Sequence, residues 1–393
     1  MLEAVIQGIY LRDLLSEEII TRADLKKPSE KVIARLLEDS MRAINRHRLY
    51  PHPAKHKSTA PTMNADWQER AEMSLFRSKR TKHLATLLGI RRIFQQQGLE
   101  PSISVAAWRK IFERAKVRQA ISQLIRFVKA GRVGINMMDI TVCGAVAPYN
   151  LLLGGKLVCL LLSSPEVVRK YATRYNEQMS LIASSMRGAA VTREAALVLL
   201  CTTSLYGSSL SQYSRVRVPA ELLGGKKGER VEYEVVGMSE GFGSFHFSKE
   251  TLRLMEILLG RTHEARKVNS IFGEGVNPLM RKIREALSRL GLPDNVLLKH
   301  GSKRVIYGVP LARNFRNILL GLADSPHYIV PQKKEKLRTE LLADYWRQRW
   351  LLRRLEKPGL LEEVAKHTVV YPIRHGAQVR LPREPDKTMS LWT

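Results

Sequence analysis

The stretch NMMDITVCGAVAPYNLLLGGKL, residues 136–157, decides how this chain is read, because the character of the sequence changes there. Before it, apolar residues recur at helical spacing among many charges. From about Val133 onward, glycines and β-branched or small residues take over and the apolar runs shorten. Leu197 to Thr203 and Val231 to Val236 are runs of strand length joined by turn residues. Ser164-Pro165-Glu166 reads as a helix start, with serine as the cap and proline at the first helical position. Residues 133–247 are therefore expected to form a mixed α/β core, and the chain as a whole to be α+β.

On the N-terminal side, residues 1–132 read as a helical, basic region. Ser29 opens a helix whose one face carries Val32, Ile33, Leu36, Leu37, Met41 and Ile44, before Pro51 and Pro53 break it. Asn64 caps the next helix, predicted to end near Gly89. A third is predicted from about Ser104 to Gly131, with Trp108, Ile111, Phe112, Ile121, Leu124, Ile125 and Val128 as a packing face.

On the C-terminal side, Ser248 caps a helix through about Leu259, a shorter one is expected near Glu264 to Phe272, and Asn277-Pro278 opens a third that stops at Gly291. In that third helix Met280, Ile283, Leu287 and Leu290 make the inner stripe, leaving Arg281, Arg284 and Ser288 on another face, turned to solvent. Val296 to Lys299, the turn His300-Gly301-Ser302 and Lys303 to Tyr307 read as a β-hairpin. Three helices and a basic hairpin over residues 248–316 resemble a winged-helix module, which sets a helix in the DNA major groove. Residues 317–393 are expected to be a basic helical tail.

Charge points to the partner. The 393 residues hold 65 Lys+Arg against 37 Asp+Glu, a net charge of +28, and so one-sided a surplus repels itself unless a polyanion neutralises it. Nucleic acid, with DNA the expected form, is the leading candidate. No carboxylate lies between Asp39 and Asp66, where Arg42, Arg46, Arg48, Lys55 and Lys57 stand with His47, His52 and His56. None lies between Glu72 and Glu100, which enclose Arg77, Lys79, Arg80, Lys82, Arg91 and Arg92. A third cluster runs from Lys333-Lys334 through Arg347, Arg349, Arg353 and Arg354. One such run reads equally well as a solvated helix face; three on one chain favour the polyanion. The candidate nucleic-acid-binding residues are Arg42, Arg46, Arg48, Arg281, Arg284, Lys299, Lys303 and Arg304.

Other classes are disfavoured. At 44% hydrophobic and 26% charged residues the composition is that of a packed globular protein rather than a polybasic tail. Cys143, Cys159 and Cys201 have no CxxC spacing and are expected to be reduced thiols in a cytoplasmic protein. The opening MLEAVIQGIYLRDLLSEE lacks the features of a secretory signal. The longest apolar run, Leu151 to Leu162, is broken by Gly154-Gly155-Lys156 and is too short to span a bilayer, so neither a membrane span nor a membrane partner is expected. His52 and His56, in a proline-broken stretch, add charge rather than bind zinc, and no metal site is expected. Asp139 and Glu177 have no partner carboxylate at useful spacing, and Tyr206 and Tyr213 read as packing residues.

Several separated blocks carry a family resemblance: Asn136 to Leu157, Thr202 to Gly207, Ser211-Gln212-Tyr213, Gly237 to Phe247, Ile271 to Gly275 and Tyr307 to Pro310. In this order, over roughly Ala106 to Arg313, the chain closely resembles the DruA family of the Druantia anti-phage system. The resemblance implies a bacterial defence protein working beside other Druantia components, a large helicase-like protein among them. It supplies no catalytic residues.

Pro148 to Leu157 also looks like the strand-loop-helix of GNAT acetyltransferases, whose glycine loop cradles the pyrophosphate of acetyl-CoA. That reading makes Gly154, Gly155 and Lys156 the cofactor-binding residues, for acetyl-CoA or a nucleotide, since amides at a helix start suit a pyrophosphate. The segment departs from the GNAT pattern at Leu151, where Arg or Gln is usual, and at Lys156, which replaces a glycine. A Walker A loop is excluded by spacing. The simpler reading is a glycine pair in a tight turn against the sheet. The expected function is a nucleic-acid-binding component of an antiviral complex with no resident cofactor; the alternative is a GNAT-like enzyme.

Overall fold

The computed structural model describes residues 1–50, 65–99, 103–146, 149–204, 211–241, 243, 247–261 and 278–366. The prolines at 51 and 53, the histidines at 52 and 56, the proposed cap at 64, Tyr206 and the expected helix at 264–272 lie outside these residues.

Local cap chemistry starts many of the helices. Ser29 accepts from the amide of Val32 at 3.3 Å and opens helix Glu30–Leu49; Thr21 and Asp24 form a reciprocal capping box on Arg22–Lys26. Asp66 starts Trp67–Glu72, and Ser104 starts Val105–Phe112. Helix Ser74–Gln96 packs antiparallel on Glu30–Leu49, Ser40 meeting Ser78 and Glu30 meeting Arg92, and the two seal Leu36, Leu84, Leu87 and Leu88 with Leu14, Ile20 and Ile90 in the N-terminal core.

Two predicted helix ends move. The helix expected to stop near Gly89 continues to Gln96, because Ile90 is buried and Ile93 packs beside it; a helix-interior glycine costs only about 1 kcal/mol, which packing offsets. The single helix expected from Ser104 to Gly131 is two, Val105–Phe112 and Ala115–Asn136. The second runs through Gly131 and Gly134 into the first strand.

That strand, β1 (Met137–Ile140), pairs in parallel with β2 (Leu199–Thr203), from Met137 opposite Leu199 to Ile140 opposite Thr202. A two-stranded antiparallel ribbon follows, β3 (Arg217–Pro219) with β4 (Arg230–Glu232). Strand β5 (Glu234–Met238) and strand β6 (Val305–Pro310) complete the main sheet in the order β1-β2-β6-β5. Both β2 and β5 run antiparallel to β6, and β5 carries a bulge between Val235 and Gly237. The fold is thus α+β, as the sequence indicates.

One face of the sheet and the ribbon bury Leu160, Leu197, Leu200, Val218, Tyr307 and Val309. Helix Glu335–Trp346 packs against Lys156–Leu162 and Pro165–Tyr175 and adds Leu342 and Trp346 to this core. The other face receives Ile318 and Leu319. Helices Lys249–Arg261 and Pro278–Arg289 enclose a separate small core of Met255, Ile283, Ala286, Leu287 and Leu298. Among the described residues no helix is long and apolar enough to cross a membrane.

The hairpin expected over 296–307 does not form. Pro293 precedes a short helix, Asp294–Leu297, whose exit buries Leu298 in the small core. Residues Val305 to Pro310 then enter the main sheet as β6, between β2 and β5, because Val305, Tyr307 and Val309 need burial that an exposed wing would not give. Leu290, placed in the inner stripe, is also exposed.

Candidate nucleic-acid interface and the glycine turn

The second acid-free run in sequence is not acid-free in space. Arg80 is wholly buried and forms a bidentate pair with Asp13, at 2.9 and 2.6 Å. Arg77 bonds Glu17 at 2.7 and 2.6 Å and Asp39 at 3.0 Å. Hydrogen bonding to Glu17, then to Asp39, holds the Arg77 guanidinium charged above its ordinary range, and the same contact holds the Glu17 carboxyl below its own. Arg91 pairs with Glu3, and Arg92 with Glu30. These cations join the N-terminal helices to one another rather than offering a face to phosphate.

The candidate residues separate into three groups. On helix Glu30–Leu49, Arg42 and Arg46 are exposed one turn apart; Arg42 has a distant partner in Asp39, at 3.9 Å. For Arg48 and Arg281 only the backbone is described. Arg284, expected to face solvent, is instead half-buried with its Nε 3.6 Å from Asp294, because the helix Asp294–Leu297 folds back beside it. Lys299, Lys303 and Arg304 form the third group, exposed on the loop that enters β6.

Backbone bonds tie that loop down. The amide of His300 donates to Gly241 at 2.8 Å and that of Gly243 to Leu298 at 2.9 Å, while Ser239 and Arg304 exchange two bonds at 2.8 and 2.9 Å. Gly241, at a φ of 65°, lies against the loop backbone so closely that an added Cβ would come within 3.2 Å of Gly301 and Ser302. The three cations therefore stand on a braced loop, and no ion pair engages them among the described residues.

Gly154 and Gly155 do not join a strand to a helix. They turn helix Tyr149–Leu153 into helix Lys156–Leu162, so the strand-loop-helix reading fails here: the apolar run Leu151 to Leu153 is helical. Gly154 has a φ of 55°, and the guanidinium of Arg354 lies over it, with Nη2 and Nη1 2.7 and 2.8 Å from where a Cβ would be. Nη1 of Arg354 donates to the carbonyl of Leu152 at 2.6 Å. Gly155 faces the carboxamide of Gln212, which would lie 2.2 Å from an added Cβ. The left-handed backbone at Gly154 favours glycine, and at both positions a larger residue would have to displace the end of a flexible side chain, Arg354 or Gln212.

Gln212 continues inward, donating to the carbonyl of Cys143 at 2.8 Å, and Tyr233 donates to that of Cys159 at 2.9 Å. The sulfurs of Cys143 and Cys159 are 3.4 Å apart. The hydrogen bond with Cys159 pulls the half-buried Cys143 thiol below its ordinary range, whereas the same bond and burial raise Cys159. A lowered pKa means more thiolate at a given pH. Cys143 is therefore expected to be the first cysteine alkylated by iodoacetamide near neutral pH, and peptide mapping that finds Cys159 or Cys201 labelled first would contradict this assignment. Among the described residues, no three His, Cys, Asp or Glu side chains gather as a metal site.

The segment from the end of helix Ala115–Asn136 through β6 coincides with a recognised family. Residues 129–321 match the family model described as Druantia protein DruA. A curated relative, Druantia protein DruA of Escherichia coli (strain UMEA 4076-1), is 32% identical over 186 residues, which are 47% of this chain and 42% of the relative. The chain thus carries a region that matches DruA and holds all six strands of the described residues, and it spans less than half the length of the curated relative it matches. No solved structure matches it. The glycine turn and the loop 299–304 lie inside the DruA region; Arg42, Arg46 and Arg354 lie outside it.

Proposed function

We propose that this chain is a nucleic-acid-binding component of a Druantia-type anti-phage defence system, acting with other proteins of that system, a helicase-like one among them. The DruA region supports the defence role. The observation that carries nucleic-acid binding is the exposed trio Lys299, Lys303 and Arg304, without an ion pair among the described residues, on a braced loop in a chain of net charge +28. A loop fixed by backbone bonds offers its cations to phosphates with little ordering cost. DNA is the expected ligand.

The test is a Lys299→Gln, Lys303→Gln, Arg304→Gln triple variant, titrated onto a fluorescent DNA duplex at several salt concentrations. If each side chain meets one phosphate, the slope of log affinity against log salt should become shallower by about three units, at roughly 0.9 per contact, with the thermal midpoint unchanged. Affinity and slope equal to those of the parent chain would remove this loop from the interface. A second reading, in which Gly154, Gly155 and Lys156 hold the phosphates of a nucleotide or of acetyl-CoA, is favoured by the cations gathered around that turn.

A further inference from the structure

We propose that Lys156, Arg215 and Arg354 form a phosphate-binding site at the Gly154–Gly155 turn, built by side chains that arrive from three separate parts of the chain. The proposal goes beyond nucleic-acid binding as such, because it names a site and a ligand group that can be probed without nucleic acid.

Three observations converge. Lys156 begins the helix that follows the turn, and it is half-buried. Arg354 reaches the turn from the C-terminal helices and lies flat against Gly154, its position fixed by the bond to the Leu152 carbonyl. Arg215 leaves helix Ser211–Ser214, which packs on helix Lys156–Leu162 and seats Gln212 against Gly155. Burial first, then the charges of Arg354 and Arg215, press the Lys156 ammonium below its ordinary pKa.

No carboxylate bonds to any of the three among the described residues. Lys156 and Arg354 are half-buried at this turn, and Arg215, exposed at the end of the helix packed beside it, is close enough to repel the Lys156 ammonium; like charges that also lose hydration carry a cost that proteins ordinarily offset with an acidic side chain. Elsewhere in this chain that is what happens, at Arg80 with Asp13 and at Arg77 with Glu17 and Asp39. A bound phosphate group would take the place of the missing carboxylate. Its tetrahedral oxygens suit several donors at once, and among the described residues only one of the Arg354 donors is committed, to Leu152.

The surroundings leave room for the rest of such a ligand. Arg354 also borders a cleft of about 330 Å³ lined by Leu151, Lys357, Pro358, Leu360 and Glu363. The helix turn just before it, Arg347–Leu351, is π-helical, a distortion that shifts the facing of the residues after it and is frequent at functional sites.

Inorganic pyrophosphate is the probe, titrated calorimetrically into the full chain. Saturable binding at one site is expected. Arg215→Gln is expected to weaken it about tenfold, the loss of one charge-assisted contact. Arg215 is exposed and bonded to no described residue, so this variant should fold as the parent does; Lys156→Gln should match it. Arg354→Gln is the less clean variant because it also frees the Leu152 carbonyl. Arg126→Gln, on a remote exposed face, should change nothing.

Raising the pH from 7 should weaken binding sooner than an ordinary lysine would, since Lys156 loses its proton early, and Lys156→Gln should abolish that early loss. Competition then identifies the source of the phosphate. Displacement of pyrophosphate by ATP or acetyl-CoA at lower concentration than by a short DNA strand marks a small-molecule site, and the reverse marks a backbone contact. The proposal is overturned if pyrophosphate does not bind saturably, or if Arg215→Gln and Lys156→Gln both bind it as the parent does. Those outcomes leave the loop at 299–304, and with it the nucleic-acid reading, untouched.

Discussion

Replacing Arg80 by leucine is expected to destabilise the protein by about 3–5 kcal/mol, a large fraction of the roughly 5–15 kcal/mol that holds an ordinary domain together. Among the described residues Arg80 is the largest fully buried side chain. Its Nε donates to the carbonyl of Ala71 at 3.0 Å, Nη1 to Tyr10 at 2.5 Å and Asp13 at 2.9 Å, and Nη2 to Asp13 at 2.6 Å and Ala71 at 2.9 Å. All five N–H groups are used, and they join the chain's first turns to helices Trp67–Glu72 and Ser74–Gln96. Leucine would fill part of the volume but leave the 7% exposed Asp13 carboxylate with only Arg77, at 3.9 Å, as counter-charge. The orphaned charge, more than the lost attraction, sets the cost. An Asp13→Leu, Arg80→Leu double variant should therefore recover a good part of the loss. Denaturant unfolding followed by circular dichroism measures both, and a single-variant loss under about 1 kcal/mol would show that Arg80 is not the keystone of this region.

Arg80 also marks the boundary of what the sequence makes legible. Helix starts were readable at Ser29, Ser104, Ser164 and Ser248, because a cap is a local bond between a side chain and an amide three residues on. Helix ends were not, since Gly89 and Gly131 stay helical under tertiary packing. The run Leu197 to Thr203 declared its strand by residue type, whereas the run Val231 to Val236 is divided between β4 and β5 in two different sheets, and the partner of β6 depended on which surface needed Tyr307 and Val309, a long-range matter. Charge was legible as a total and misleading as a map. The run from Arg77 to Arg92 looked unneutralised because its partners, Glu3, Asp13, Glu17, Glu30 and Asp39, are distant in sequence. The glycine turn was found from its residues, whereas Arg354, 202 residues beyond the carbonyl it binds, carries no local signal that would bring it there.

Affinity for a DNA duplex is expected to fall by about 10³-fold between roughly 50 and 200 mM monovalent salt. Each cation that meets a phosphate releases condensed counterions, and about six such contacts give a slope near −5 in log affinity against log salt, so a fourfold rise in salt removes about three decades. The number of contacts is reasoned from the surface: Arg42 and Arg46 on one helix and Lys299, Lys303 and Arg304 on the braced loop are exposed with at most a 3.9 Å partner, and they account for five. Arg91 and Arg92 supply the contrast, since each is already satisfied by a carboxylate within the N-terminal helices. An Arg91→Gln, Arg92→Gln variant should keep the parent slope at every salt concentration, whereas Arg42→Gln with Arg46→Gln should flatten it by about two units. Equal flattening by both pairs would mean that the net charge of +28 acts as a diffuse attractor without a defined face, and a parent slope shallower than about −2 would end the phosphate-dominated reading altogether.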